Sequence, residues 1–129
     1  MSRGLAVLAA AGACGVLAAA APARPAPDPE RTLVRAVEFD LTLSKTKLRP
    51  GRAIIQFLND GEDPHDLRMQ RTDLAGQPEF GLGVIGPGEY ENLDTRLRRR
   101  STYTLWCSLA GHRGLGMEAS LRIKRRKRR

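Results

Sequence analysis

The sequence predicts an all-β protein, a Greek-key β-sandwich. Apolar and polar residues alternate with a period of two in several short segments, turn-forming Gly, Pro, Asn and Asp fall between those segments, and no apolar stripe of helical period runs for any length. Six or seven short strands separated by turns are the pattern of two sheets stacked face to face.

In the first segment Leu33, Val37, Phe39, Leu41 and Leu43 share one parity, opposite Glu38, Asp40 and Thr42, so the first set is expected to face inward along one strand. Leu48-Arg49-Pro50-Gly51 is a turn, and Arg52 to Leu58 is a strand ended by Asn59-Asp60-Gly61. In the next strand His65, Leu67 and Met69 lie on one face, with Asp66, Arg68 and Gln70 on the other. Residues 71–88 hold five glycines and two prolines and read as a long excursion ending in Gly86-Pro87-Gly88, after which Glu89 to Leu97 forms a strand. From Ser101 to Cys107 the inward set is Tyr103, Leu105 and Cys107, which leaves Trp106 outside as a half-buried aromatic covering the sheet, with a second electron exit or partner contact as the alternative. In the last strand Met117, Ala119, Leu121 and Ile123 alternate with Glu118, Ser120, Arg122 and Lys124.

The ends differ from this body. Met1-Ser2-Arg3, an apolar run from Gly4 to Ala21 and the small-residue site Ala21-Pro22-Ala23 make residues 1–23 a secretory signal peptide. An uncleaved anchor, or a lipid attached at Cys14, is the alternative the segment leaves open. Residues 24–31 are a Pro-rich linker, 32–124 a single domain and 125–129 a basic tail. Cleavage removes Cys14 and leaves Cys107 as the one thiol, so no intramolecular disulfide forms and the cysteine needs another assignment. The net charge of +8 includes six positive charges from Lys124 to Arg129 and one from Arg3, which puts the remaining body at +1. Such a basic run is a solvated end that offers contact with an anionic surface or membrane. An exported chain is not expected to bind nucleic acid.

Chemistry concentrates between Trp106 and Met117, where Cys107, His112 and Met117 recur at five-residue steps. Two imidazoles, one thiolate and a weak axial thioether suit copper in electron transfer, because soft sulfur favours Cu(I) while imidazole accepts Cu(II). The second imidazole must then be His65, the only other histidine. With two His and two Met in the roughly 106 residues after the leader, chance supplies this spacing less than about one time in a hundred. His65, Cys107 and Met117 all fall on the inward parity of their strands. His112 falls on the connecting loop.

At these residues the chain resembles the cupredoxins, the plastocyanin and azurin family of type 1 copper proteins. The likeness spans about residues 33 to 124 and is carried by Val37-Glu38-Phe39, Leu48-Arg49-Pro50-Gly51, Asn59-Asp60-Gly61 before Pro64-His65, Gly86-Pro87-Gly88-Glu89, Thr102-Tyr103-Thr104-Leu105-Trp106-Cys107, Gly111-His112 and Gly116-Met117-Glu118. The resemblance implies a cupredoxin-like sandwich holding one copper ion, Cu(I)/Cu(II), with Cys107 as thiolate, His65 and His112 as imidazole ligands and Met117 as axial ligand. It also implies a monomeric extracytoplasmic electron carrier, in the periplasm, at the cell surface or secreted, with transient redox protein partners meeting the exposed edge of His112 among Leu109, Ala110 and Leu115. Four protein ligands leave no open position for a substrate, so an enzyme is not expected. The alternatives are an extracytoplasmic copper carrier or storage module without redox cycling, and a metal-free interaction domain. Two positions depart from the family. Asp66 stands where plastocyanins often have an Asn that braces the ligand loops, and it would place negative charge near the copper; Arg98-Arg99-Arg100 occupies a turn expected to hold Pro-Gly.

Overall fold

The computed structural model describes residues 20–125, so most of the expected leader and the tail from residue 126 lie outside the described residues. The described residues form nine strands: β1 Glu30–Val37, β2 Asp40–Leu43, β3 Lys47–Leu48, β4 Gly51–Asn59, β5 His65–Arg71, β6 Glu79–Ile85, β7 Tyr90–Leu97, β8 Thr102–Trp106 and β9 Glu118–Ile123. They form a four-stranded sheet in the order β2-β1-β4-β7 and a five-stranded sheet in the order β3-β9-β8-β5-β6. β1 runs parallel to β4 and β3 parallel to β9, while the other pairs are antiparallel. Among the described residues there is no helix. Val34, Ile55 and Phe57 from one sheet close on Leu67, Met69, Leu105 and Leu121 from the other, and this apolar interior supplies most of the driving force for folding.

The sandwich agrees with expectation, but the first strand does not. Thr32, Val34 and Ala36 face inward in β1, while Leu33 and Val37 are half-buried and Phe39 is exposed. The chain reverses at Glu38-Phe39, and the β1–β2 register pairs Val34 with Leu43 and Ala36 with Leu41. Residues directly opposite share a face of the sheet, so the inward parity is even before this reversal and odd after it. A continuous strand keeps one parity, and that assumption inverted β1.

The excursion at residues 71–88 also contains a strand, β6, at one edge of the larger sheet. Its glycines hid it, since glycine weakens a strand pattern. At Gly81 a Cβ would stand 1.9 Å from the Leu67 carbonyl oxygen, so only glycine lets β6 lie this close to β5. The arginine turn between β7 and β8 stands without Pro-Gly. Arg98 donates its backbone N–H to the Tyr103 hydroxyl at 3.2 Å, and Arg100 takes the left-handed conformation at φ 54°.

Candidate metal centre

The site lies at the end of the sandwich where β5 begins and β8 finishes. Asn59, fully buried at the end of β4, donates through Nδ2 to the carbonyls of Asp63 (2.8 Å) and Ile85 (3.1 Å) and accepts the Gly61 N–H at 3.0 Å. These bonds fix the turn that delivers His65 into the core. From the other side, the loop after β8 closes on itself: Cys107 N–H donates to the Met117 carbonyl, and Met117 N–H donates to the His112 carbonyl, each at 3.1 Å. Gly116 enters this closure at φ 121° with the Phe39 carbonyl oxygen 3.0 Å from where a Cβ would stand, a position suited to glycine alone.

His65 Nδ1, His112 Nδ1 and Cys107 Sγ converge, all within 4.8 Å of one another. The separations are 3.3 Å between the two nitrogens, 4.0 Å from Sγ to His65 and 3.6 Å from Sγ to His112. Donors bonded at the roughly 2.0–2.3 Å usual for imidazole and thiolate stand about 3.5–4 Å apart when three of them ring one ion. The triangle therefore fits a single first-row metal ion. Met117 is fully buried in the same core cluster as Cys107. His65 and Cys107 are fully buried, whereas His112 is half-buried on the loop.

Glu38, assigned no role of its own from sequence, orients His65. Its carboxylate accepts the backbone N–H of Asp63 (2.8 Å) and of Glu62 (3.0 Å) and the ring N–H of His65 Nε2 (2.8 Å). The backbone N–H of Asp63 is the largest cause holding this carboxyl down to about 2, so at neutral pH it only accepts. His65 must then carry its proton on Nε2, which leaves the Nδ1 lone pair free toward Cys107 and His112. Nothing in the sequence pairs residues 38 and 65, because the apolar alternation runs unbroken through the reversal between β1 and β2. That reversal also sets the Phe39 ring edge-on to His112, with centroids 5.0 Å apart.

Asp66 was expected on the outer face; it is only 6 % exposed, at a register shift between His65 and Leu67. Its carboxylate accepts the Ser108 backbone N–H at 2.6 Å and the Ser108 hydroxyl. It thereby joins the residue after His65 to the residue after Cys107, a brace built from acceptors alone. Burial pushes the Cys107 thiol up, the backbone N–H groups of Asp66 and Leu109 pull it back, and the Asp66 charge raises it further. Such a thiol ionises fully when a metal binds it. Trp106 does face outward, yet it is 5 % exposed rather than half-buried, because the Arg113 guanidinium lies over its ring.

No protein-family model and no curated protein matches the sequence. Solved structures do. Auracyanin B superposes with a TM-score of 0.57 at 18% identity, over 77% of this chain and 92% of its own. Auracyanin A, a "blue" copper protein from the green thermophilic photosynthetic bacterium Chloroflexus aurantiacus, gives 0.57 at 15% identity, over 74% of this chain and 99% of its own. A copper nitrite reductase from Nitrosomonas europaea gives 0.56 at 14% identity over 78% of this chain, which spans only 43% of that longer protein. With two sheets of matching architecture and near-complete coverage of the auracyanins, the chain has the cupredoxin fold.

Proposed function

We propose that the chain would hold one copper ion through His65, Cys107 and His112, with Met117 as a fourth donor, and serve as a one-electron carrier. The observation that carries this reading is the convergence of two imidazole nitrogens and a lone thiol from separate strands and a loop, at spacings that fit a single ion. Copper supplies the Cu(I)/Cu(II) couple when bound. The protein contributes a rigid donor set: His65 is held by Glu38, Cys107 by the Asp66–Ser108 brace, and Met117 by the loop closure. Rigidity favours electron transfer because little has to move when the charge changes.

The half-buried ring of His112 is the route for electrons, beside Phe39 at 36 % and Leu115 at 63 % exposure. A small apolar rim suits short-lived contact with redox proteins. A donor set of four protein groups leaves no place for a substrate, which favours a carrier over an enzyme. The leader at residues 1–23 supports a place outside the cytoplasm for a monomer whose basic tail meets anionic surfaces.

The test is a titration of the purified protein with Cu(II). An intensely blue product with narrow copper hyperfine splitting, lost in Cys107→Ser, is expected; a colourless complex refutes the site. Reversible reduction and reoxidation without loss of copper is expected of a carrier of electrons. Copper that leaves on reduction, or that stays Cu(I) under mild oxidants, assigns the protein instead to copper carriage or storage.

A further inference from the structure

Each of the three donors contributed by the loop and its flanking strands has a chain neighbour in a second cluster on the outer side of the sheet. Trp106 precedes Cys107, Arg113 follows His112 and Glu118 follows Met117. Trp106 and Glu118 are direct partners across the β8–β9 ladder, so their side chains share the outer face. Arg113 comes from the loop to lie between them. Its guanidinium carbon is 4.4 Å from the centre of the Trp106 ring, and its Nε donates to the Glu118 carboxylate.

We infer that Trp106, Arg113 and Glu118 form an outer clasp that positions His112 against Cys107 and Met117. This rests on the metal-site reading above. Cys107 and Met117 adjoin strands and are fixed by the sheet, but His112 sits mid-loop. On its inner side the His112 ring meets the Phe39 edge, His65 and Cys107. The backbone of the next residue, Arg113, accepts the Gly116 N–H at 3.1 Å, and its side chain is tied to one rung of the ladder at both ends of that rung. The planar guanidinium suits this, stacking on an indole face while its edge meets a carboxylate. Arg113 thus gives the loop a lateral tether outside the core, and the donor nitrogen one residue away inherits the constraint. Arg113 is a positioning residue. It touches no donor itself.

The experiment uses the full chain loaded with Cu(II), comparing wild type, Arg113→Ala, Glu118→Gln and the double variant. Three readouts are taken: visible and electron paramagnetic resonance spectra, the rate of copper loss to a chelator, and the thermal midpoint of the metal-free protein. Arg113→Ala should release copper roughly tenfold faster and broaden the spectra as His112 takes several orientations. Its metal-free midpoint should stay within about 5 °C of wild type, since the side chain is half-exposed and such pairs add little to folding. Glu118→Gln should give a smaller change in the same direction. The double variant should match Arg113→Ala within about twofold, because both substitutions break one tether. Arg113→Lys keeps the charge but loses the planar edge, and should fall between wild type and Arg113→Ala; it also serves if Arg113→Ala does not fold. Unchanged release and spectra in a blue Arg113→Ala protein overturn the clasp and leave the metal site standing. A wild type that gives no blue complex overturns the metal site and this inference with it.

Discussion

Replacing Asp66 tests how the site is held together. This carboxylate is almost fully buried, and it accepts two hydrogen bonds from Ser108, one from the backbone N–H at 2.6 Å and one from the hydroxyl. In Asp66→Ala both Ser108 donors lose their protein partner, and because Ser108 itself is exposed, water takes over part of each bond. A hydrogen bond to a charged group contributes about 1.5–3 kcal/mol. The two share one carboxylate, whose own burial is relieved when it is removed, so the combined loss is about 3 kcal/mol rather than the full sum. For a domain of about 100 residues, 1 kcal/mol moves the thermal midpoint by roughly 4–8 °C, so the expected drop is about 12–24 °C. Asp66→Asn separates geometry from charge. Its amide oxygen still accepts the Ser108 N–H, and its amide nitrogen can donate to the hydroxyl oxygen, so the midpoint should fall by less than about 8 °C, equivalent to roughly 1 kcal/mol. The same variant removes a negative charge beside Cys107, which should raise the copper reduction potential, because negative charge favours Cu(II). Calorimetry on metal-free protein and voltammetry on the copper form provide the measurements. The bracing argument fails if Asp66→Ala melts within a few degrees of wild type, or if Asp66→Asn melts as low as Asp66→Ala.

Three other substitutions address the rest of the site and its scaffold. Glu38→Gln keeps an oxygen for His65 Nε2 but removes the charge, and copper affinity measured by competition should fall about 10–100-fold; an unchanged affinity would show that Glu38 does not orient the ligand. Met117→Leu should keep the blue colour and raise the potential, since a weak donor is replaced by a hydrocarbon; loss of the colour would make Met117 more than an axial ligand. The Asp73 carboxyl is held down to about 2, chiefly by the Arg71 guanidinium and then by the Thr102 N–H. Its contribution to stability is complete above the ordinary carboxyl value near 4 and disappears as the pH falls through about 2. Asp73→Asn should therefore flatten the fall in thermal midpoint between about pH 4 and pH 2, and a parallel curve for wild type and variant would exclude that linkage.

Most of the sandwich could be read from the chain because period-two alternation reports directly on which face of a strand is buried. β5, β8 and β9 lie within a residue or so of their expected limits, and the inward places of His65, Cys107 and Leu121 agree with their parity. Local pattern and tertiary contact diverge at two places. Glycine content concealed β6, whose Gly81 is there for close approach to Leu67 rather than for a turn. The β1–β2 reversal lies inside an unbroken alternation, which by itself puts Phe39 inside and leaves Glu38 an ordinary solvent-facing residue.

Alternation, turn residues and the spacing from Cys107 to Met117 are local properties, and they were enough to specify the fold class and to nominate Cys107, His112 and Met117 as candidate donors, with His65 following as the only other histidine. The partners that hold those donors come from folding: Glu38 lies 27 residues from His65, Asp66 lies 42 from Ser108, and Phe39 reaches His112 from the opposite sheet. Hydrogen bonds and ring contacts across such distances depend on strand register and on where one sheet sits over the other. No local periodicity encodes either, so the candidate donor residues are legible along the chain while their support exists only once the two sheets have closed.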